Sequence, residues 1–402
     1  MLVVFCSYSN CALSGGKIMK YKKLLVLVIA VVVVFAMVAC GGGGGNTPAK
    51  SGGNEATAQQ DDGQGILGAN IALLVNADSA LAINDKGWIQ KSWEGIKNYG
   101  DANGKTYTWY RPGDNSTQGY LNVISTAVNS GTEIIISLGF QAQEAIKQAQ
   151  YDYPDTFFIQ TDSAGAEADL APNHYAIFHS IDQAAFLAGI AAVKAGFKDI
   201  GITTSLDIPP VNIVCWGYVQ GVNYEAGKLG IDGIKLRQTY INSAVPSPEA
   251  QTLAASWYTD GVDLIMCNSS GANNSVFAAA NAAQKACFGA DVDQGGESDM
   301  ILTCPIKLIN LTIVDGISKA YEGDFPGGTF KWYDVDDGGV GLATDHWRFT
   351  NYSLDEYAKD LEDFKNDVDG MRSGLIKQDT CPSLESLWDY ITDKNITFNI
   401  IK

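Results

Sequence analysis

Apolar runs typical of buried strands alternate with helical patterns from residue 66 to about residue 321. Period-3.6 spacing of apolar residues indicates amphipathic helices, whereas short continuous apolar runs indicate strands that are buried on both faces. The strand candidates are residues 66–75, 107–110, 133–138, 156–161, 175–181, 199–204, 234–241, 262–267 and 300–305. The helix candidates are residues 86–99, 116–129, 141–151, 183–195, 210–227, 248–259, 275–286 and 308–321.

This alternation predicts an α/β protein with doubly wound parallel sheets. The chain has 402 residues, which exceeds the roughly 250–300 residues that one core usually serves, so we expect two lobes joined by a hinge. We place the first lobe at residues 66–181 with a return segment at about 306–330, and the second at 182–305 with about 331–377. A charged amphipathic helix is expected at 354–373, and residues 378–402 form a C-terminal extension of unassigned role.

The first 39 residues have the pattern of a secretory signal peptide. Four lysines and no acid precede an apolar run from residue 24 to residue 38, which is shorter than the roughly 20 residues that a membrane span needs. Met19 begins the basic segment, so residues 1–18 are interpreted as an over-long start.

The signal ends in Met-Val-Ala-Cys at residues 37–40, which resembles a bacterial lipobox. Acylation of Cys40 is therefore predicted, and the polar, Gly-rich residues 40–65 would then be the lipidated Cys and a flexible tether. We expect a protein anchored by lipid on the extracytoplasmic face of a bacterial membrane, either in the periplasm or at the cell surface.

The net charge of −18 argues against binding to a nucleic acid polymer, because such binding depends on basic side chains. Removal of the signal removes four lysines and no acid, and the mature body would carry −22. Only three histidines are present, so neither a metal site nor a cofactor is expected. Five cysteines follow residue 40 without any C-x-x-C spacing, and they are interpreted as small apolar residues rather than as a disulfide framework.

Ligands of parallel sheets bind beyond the carboxyl ends of the strands, near helix N-termini. That rule selects residues that follow strands at equivalent positions in both lobes, most of them polar: Asp78, Phe140, Asp162, Gly271, Asp291 and Lys307. Carboxylates at such positions can accept paired O–H or N–H donors from a polar ligand. Each residue alone could equally serve as a turn or helix cap.

Two tryptophans are candidates for stacking on a flat ligand. In the helix at 86–99 the core stripe is Ile89, Trp93 and Ile96, and Trp88 is offset from it in the first turn, toward the predicted cleft. Trp216, on the helix of the second lobe, is the candidate for the opposite face. The alternative for Trp88 is a ring that covers the edge of the lobe.

An ordered set of motifs resembles the basic membrane protein family of bacterial ABC-transporter lipoproteins, which includes purine-nucleoside receptors. The resemblance spans about residues 66–374. The motifs are Ile-Asn-Asp-Lys-Gly-Trp at 83–88, Ser-Trp-Glu-Gly at 92–95, Tyr-Pro-Asp-Thr at 153–156, Phe-Leu-Ala-Gly at 186–189, Asp-Ile-Pro at 207–209, Asp-Val-Asp-Gln at 291–294 and Gly-Gly-Val-Gly-Leu at 338–342.

The resemblance implies a type I periplasmic-binding-protein fold. It also implies that Trp88 is the stacking aromatic, and that Asp162 and Asp291 contact the ribose and the base. Gly271 would be the glycine-loop position, Lys307 the cleft lysine and Asp78 the acid of the first strand. The chain departs from the family after the Asp-Ile-Pro turn, where Ile213-Val214 replaces an Arg-Phe pair.

The predicted function is a monomeric ABC-importer receptor that binds a nucleoside, with a purine favoured, by hinge closure. The closed receptor would then dock on its permease and ATPase complex. Another flat heterocycle such as a flavin is the alternative ligand. A ligand-sensing lipoprotein without coupling to transport is the alternative role. An enzyme is not expected, because the chain has no G-x-S-x-G and no G-x-G-x-x-G after the first strand.

Overall fold

The protein is built from two parallel β-sheets, each flanked by helices, which confirms the α/β class and the doubly wound arrangement. The computed structural model describes residues 67–79, 82–162, 169–377 and 383–401. The signal segment, Cys40 and the linker lie outside the described residues, so the prediction of a lipid anchor stays a prediction. Among the described helices, none combines the length and apolar character that crossing a bilayer requires.

The first sheet has six strands in the order β11-β5-β4-β3-β1-β2, and every pairing in it is parallel. Its strands are β1 (Ile71–Leu74), β2 (Tyr107–Tyr110), β3 (Ile134–Leu138), β4 (Phe157–Thr161), β5 (His174–His179) and β11 (Thr329–Tyr333). The helices that flank it are α1 (Trp88–Asn103), α2 (Thr117–Asn129), α3 (Gln143–Asp152) and α8 (Ile309–Glu322). Buried Ile and Leu residues on both faces explain the continuous apolar runs in these strands.

The second sheet has five parallel strands in the order β13-β7-β6-β8-β9. They are β6 (Asp199–Thr204), β7 (Lys235–Tyr240), β8 (Leu264–Asn268), β9 (Ala286–Phe288) and β13 (Thr397–Ile401). Its helices are α4 (Ile181–Lys194), α5 (Pro209–Leu229), α6 (Pro248–Thr259), α7 (Asn273–Ala283), α9 (Leu354–Lys365) and α10 (Leu384–Tyr390). The C-terminal extension thus completes the edge of this sheet with β13.

Three segments connect the two layered units. Strand β5 of the first sheet runs directly into α4 of the second unit. The short strands β10 (Pro305–Lys307) and β12 (Val340–Leu342) pair in antiparallel fashion and form the other two connections. Leu308 N donates to Gly339 O at 2.9 Å and thereby joins these two connections to one another.

The clearest differences between the predicted and the observed elements are at residues 300–305 and 354–373. The strand expected at 300–305 is displaced to Pro305–Lys307, and Ile301 makes only an isolated bridge to Cys287. The helix expected at 354–373 ends at Lys365, because Asp367 and Asp369 adopt left-handed φ values of 54° and 53° that an α-helix cannot contain. The helix begins at Leu354, as predicted, and a capping box formed by Ser353 and Glu356 fixes that start.

The cysteines behave as small apolar residues in the described part of the chain. Cys215, Cys267, Cys287 and Cys304 are buried and free, while Cys381 lies outside the described residues. Burial raises the pKa of Cys215 to about 11 and that of Cys304 to about 12, so both stay thiols at neutral pH.

Candidate functional site

A cavity of about 350 Å³ lies where the carboxyl ends of the two sheets face each other. This volume falls within the range of roughly 300–1,000 Å³ that is common for small-molecule sites. Its lining includes seven of the eight predicted site residues: Asp78, Trp88, Phe140, Asp162, Gly271, Asp291 and Lys307. Residues that lie more than 220 positions apart in sequence therefore meet in one cavity, which is the convergence that the strand-end rule predicts.

Trp88 reaches the cavity because it is the first residue of α1. The helix has no cap from the side chain of its N-terminal neighbour, and Asp85 takes that role from three residues upstream. Its carboxylate accepts from Gly87 N and Gln90 N at 2.9 Å each and from Ile89 N at 3.4 Å. Asp85 is buried and itself lines the cavity, so it anchors the turn that carries the ring.

The indole ring of Trp88 is half-buried between a glycine and a lysine. A Cβ atom placed on Gly139 would lie 3.1 Å from Cη2 of the indole, and Gly139 has a φ of 77°. A larger residue there would be strained and would press on the ring. Lys307 Nζ lies 5.7 Å from the ring centroid, within cation–π distance. Ile89, Trp93 and Ile96 are buried in the core as predicted.

Lys307 connects two carboxylates that come from opposite lobes. Its Nζ donates to Asp162 Oδ2 at 2.9 Å and forms an ion pair with Asp291 Oδ1 at 3.2 Å. Asp162 follows β4 and Asp291 follows β9, and both adopt left-handed backbone conformations, with φ of 50° and 68°. Aspartate tolerates that conformation better than most residues do. The three side chains are largely buried, so this is a desolvated charge cluster with one net negative charge.

The protonation states of the cluster follow from its geometry. Burial alone would raise the pKa of Asp162, but the charge of Lys307 and a hydrogen bond from His179 outweigh it and hold that pKa well below its usual range. Burial would likewise lower the pKa of Lys307, but Asp162 and Asp291 raise it above its ordinary value. His179 Nδ1 lies 3.3 Å from Asp162 Oδ1, and its Nε2 lies 3.1 Å from Thr312 Oγ1. Asp162 is therefore ionised and Lys307 charged at neutral pH.

Asp85 differs from Asp162 in its titration. Burial raises its pKa, and the hydrogen bonds from Gln90, Gly87 and Ile89 only partly compensate. The charge of Asp291 adds to the increase. The pKa values of Asp85 and Asp162 thus shift in opposite directions, because of these two only Asp162 has a buried cation beside it.

The second lobe covers the opposite side of the cavity mainly with aliphatic side chains. These residues are Leu206, Ile208, Val211, Val214, Ala244 and Val245. Val211 and Val214 lie on the first turns of α5, and Asn268 Nδ2 donates to Val211 O at 2.8 Å, which ties that helix to the end of β8. The wall suits the apolar face of a flat ligand but offers it no second aromatic ring.

Trp216 does not belong to this wall, and the prediction that it faces the cleft is corrected here. It is 1% exposed within the core of the second lobe, and its Nε1 donates to Ile376 O at 2.9 Å. Helix α5 is apolar on nearly all sides, so the sequence pattern could not distinguish its core face from its cleft face. The structure places Val211 and Val214 where the second aromatic was expected.

The remaining predicted residues lie at the edge of the cavity. Asp78 is exposed in the loop after β1, where Asn115 Oδ1 accepts from Ala77 N at 2.9 Å. Phe140 is 38% exposed beside the opening. Gly271 lies in a short helical turn that Ala272 N fastens to Ala244 O at 3.2 Å.

The charge of the lining restricts the ligand. Four aspartates and one lysine are in the lining, and that lysine already pairs with two of the acids. A phosphate or carboxylate on the ligand would meet repulsion and no free lysine or arginine among the described lining residues. Neutral hydroxyl and N–H groups would instead find carboxylate acceptors.

The sequence reasoning missed Asp85 and the aliphatic wall. The Asp-Lys-Gly-Trp order at 85–88 could have revealed Asp85, because an aspartate shortly before a helical pattern is a capping signature. The wall gave no comparable indication, since valine and isoleucine at a helix start read as ordinary core residues.

Solved structures of solute-binding proteins share the fold of this chain. The chain resembles an ABC-transporter solute-binding protein from Aeropyrum pernix K1 with a TM-score of 0.61 at 20% identity, over 77% of this chain and 87% of that one. A solute-binding protein from Conexibacter woesei matches with a TM-score of 0.60 at 16% identity, over 77% and 98%. These matches support the two-lobed fold of solute-binding proteins.

Sequence comparison identifies the family. Residues 70–368 match the family model for Bmp, the PnrA-like ABC transporter substrate-binding proteins, and the chain belongs to this family. The nucleoside-binding protein BmpA of Lactococcus lactis is 28% identical over 290 residues, which cover 66% of this chain and 80% of that relative. The CD4+ T-cell-stimulating antigen of Listeria monocytogenes is 28% identical over 319 residues, which cover 71% and 83%.

Proposed function

We propose that this substrate-binding protein captures a nucleoside, with a purine favoured, in the cavity between its lobes and delivers it to an ABC permease. The observation that carries the proposal is the position of the Trp88 ring beside the Asp162, Lys307 and Asp291 cluster. A nucleoside combines a flat base with neutral hydroxyl groups, and this pairing of a ring with carboxylates matches both parts. The nucleoside-binding name of the Lactococcus relative supports the same ligand class.

The residues have separate roles in this proposal. Trp88 stacks on one face of the base while Val211 and Val214 cover the other. Asp162 and Asp291 accept hydrogen bonds from ribose hydroxyls and base N–H groups, and the charge of Lys307 keeps Asp162 ionised. Closure of the lobes removes water from these bonds, after which the closed protein docks on the permease. No bond in the ligand is broken.

A ligand panel tests the proposal. The full chain, purified in detergent, is melted with guanosine, adenosine, inosine, cytidine, uridine, riboflavin and guanosine monophosphate in turn. At about a hundredfold excess over Kd, a bound ligand adds about 2.7 kcal/mol to stability. We expect a purine nucleoside to raise the melting temperature most and the monophosphate to leave it unchanged.

Riboflavin is the second candidate, because the wall formed by Leu206, Ile208, Val211 and Val214 could cover a larger apolar ring edge. A response to riboflavin alone would replace the nucleoside with the flavin class. If every compound leaves the melting temperature unchanged, the proposed ligand is wrong.

We further propose that a lipid on Cys40 holds the protein at the membrane. Cys40→Ala should move the protein from the membrane fraction to the soluble fraction after cell lysis. Cys381→Ala is the matched control and should stay with the membrane. Retention of the Cys40→Ala variant would contradict the anchor.

A further inference from the structure

Gln294 is held in a slot of the second lobe that fixes its side-chain amide. It is 2% exposed, and its Oε1 accepts from Asn273 Nδ2 and from Ala290 N at 3.1 Å each. A Cβ atom on Gly289 would lie 2.7 Å from that same oxygen, so only glycine at 289 leaves room for the amide. The second lobe alone therefore satisfies the carbonyl half of the amide.

The other half of the amide is directed across the cleft. Gln294 Nε2 donates to Lys86 O at 3.2 Å. Lys86 belongs to the first lobe and lies between Asp85, which caps α1, and Trp88, with a left-handed φ of 58°. The bond thus connects the second lobe directly to the backbone turn that carries the stacking ring.

An ion pair accompanies this hydrogen bond. Lys86 Nζ lies 3.3 Å from Glu297 Oε1, three residues after Gln294. The two side chains are 50% and 34% exposed, so water screens their attraction and the pair contributes little. The buried amide is consequently the stronger of the two contacts.

We propose that Gln294 is a positioning residue that clasps the second lobe onto the Trp88 turn and so sets how tightly the closed cleft holds its ligand. The amide contacts the opposite lobe rather than the ligand, since Gln294 is not among the residues that line the cavity. The effect on affinity rests on the proposed function, whereas the effect on closure does not.

Gln294→Glu tests the clasp with little change of shape. A carboxylate keeps an oxygen for Asn273 and Ala290 but faces Lys86 O with an acceptor in place of the donor. We expect this variant to weaken binding of the nucleoside with the largest melting shift by about tenfold, through the lost bond and the new repulsion. Lys86→Met removes only the exposed ion pair and should weaken binding by about fivefold at most.

Hydrogen–deuterium exchange without ligand separates closure from affinity. In Gln294→Glu, amide exchange should rise across residues 84–92 of the first lobe, which a purely structural role within the second lobe would leave unchanged. Gln284→Glu adds the same charge at the exposed C-terminal end of α7 and should behave as the wild type. If Gln294→Glu does not fold, Gln294→Met keeps the side-chain length without the donor and should give the same increase.

The outcomes distinguish the two proposals. Unchanged exchange at 84–92 in both Gln294 variants would overturn the clasp, whatever ligand binds. Increased exchange in a protein whose wild type ignores every nucleoside would support the clasp and overturn only the nucleoside.

Discussion

The first lobe lines the cavity with an indole ring and three aspartates, whereas the second lobe lines it mainly with aliphatic side chains and one aspartate. Both linings are formed at the carboxyl ends of parallel strands in alternating βα units. Under the proposed function this difference divides recognition: the first lobe would supply stacking and most acceptors, and the second a cover and one acid. Lys307 joins the two halves because it pairs with an acid from each.

The largest effect is expected when the lysine that pairs with both lobes is removed. Lys307→Met leaves Asp162 and Asp291 buried without their cation, and we expect the free energy of unfolding to fall by about 3–5 kcal/mol in urea denaturation. Lys319→Met is the matched control, because the Lys319 pair with Asp315 at 2.7 Å is 35% and 43% exposed. The control should lose about 0.5 kcal/mol or less. Equal losses would show that the cluster is no more important than a surface pair.

The two tryptophans test whether stacking belongs to the first lobe alone. Trp88→Leu should weaken nucleoside binding by about 2 kcal/mol, measured by calorimetric titration, because a central aromatic contact is lost. Trp88→Phe should recover about 0.5–1.5 kcal/mol of that loss, since it restores a ring.

Trp216→Phe provides the contrast. It should lower the free energy of unfolding by about 1–3 kcal/mol while leaving affinity unchanged, because Trp216 is a core residue that bonds to Ile376 O. Lower affinity with unchanged stability would return Trp216 to the cleft and contradict its buried position.

The smallest effect is expected at the aliphatic wall. Val211→Ala removes two methyl groups from the cavity lining and should weaken binding by about 0.5–1 kcal/mol. Val219→Ala on the same helix is the control, because Val219 is fully buried in the core. It should lower stability and leave affinity unchanged. If Val211→Ala weakens binding as much as Trp88→Leu, the two faces of the cleft contribute equally.

Most elements of the fold were predictable because their apolar periodicity is strong. The strands at 107–110 and 199–204 and the helix at 248–259 have the predicted bounds. Short strands escaped prediction: β12 has three residues, and β13 is only partly buried and pairs with β7 from the far end of the chain. Helix α9 ends early because Asp367 and Asp369 adopt left-handed backbone conformations. An aspartate, unlike a glycine, does not indicate that conformation in the sequence.

The candidate site was predictable to the extent that parallel strand ends converge. That rule located Asp162, Asp291 and Lys307. It carried no information on the distances between them or on the pairing of Lys307 with both acids. Asp85 accepts from N–H groups of the helix turn that follows it, and Gln294 donates to Lys86 O, 208 positions away in the sequence. The residue type alone does not show which carbonyl or N–H group such a side chain reaches.

The sequence by itself determined the two parallel sheets, the edge at which their polar residues collect and the first turn that carries Trp88, because periodicity and strand ends are local properties. Only the tertiary structure decided that Trp216 is a core residue, that Val211 and Val214 line the cavity and that Gln294 bonds to Lys86. These are contacts between segments far apart in the chain, and their outcome depends on the rotation of each helix and the approach of the lobes. Neither is encoded in a local pattern.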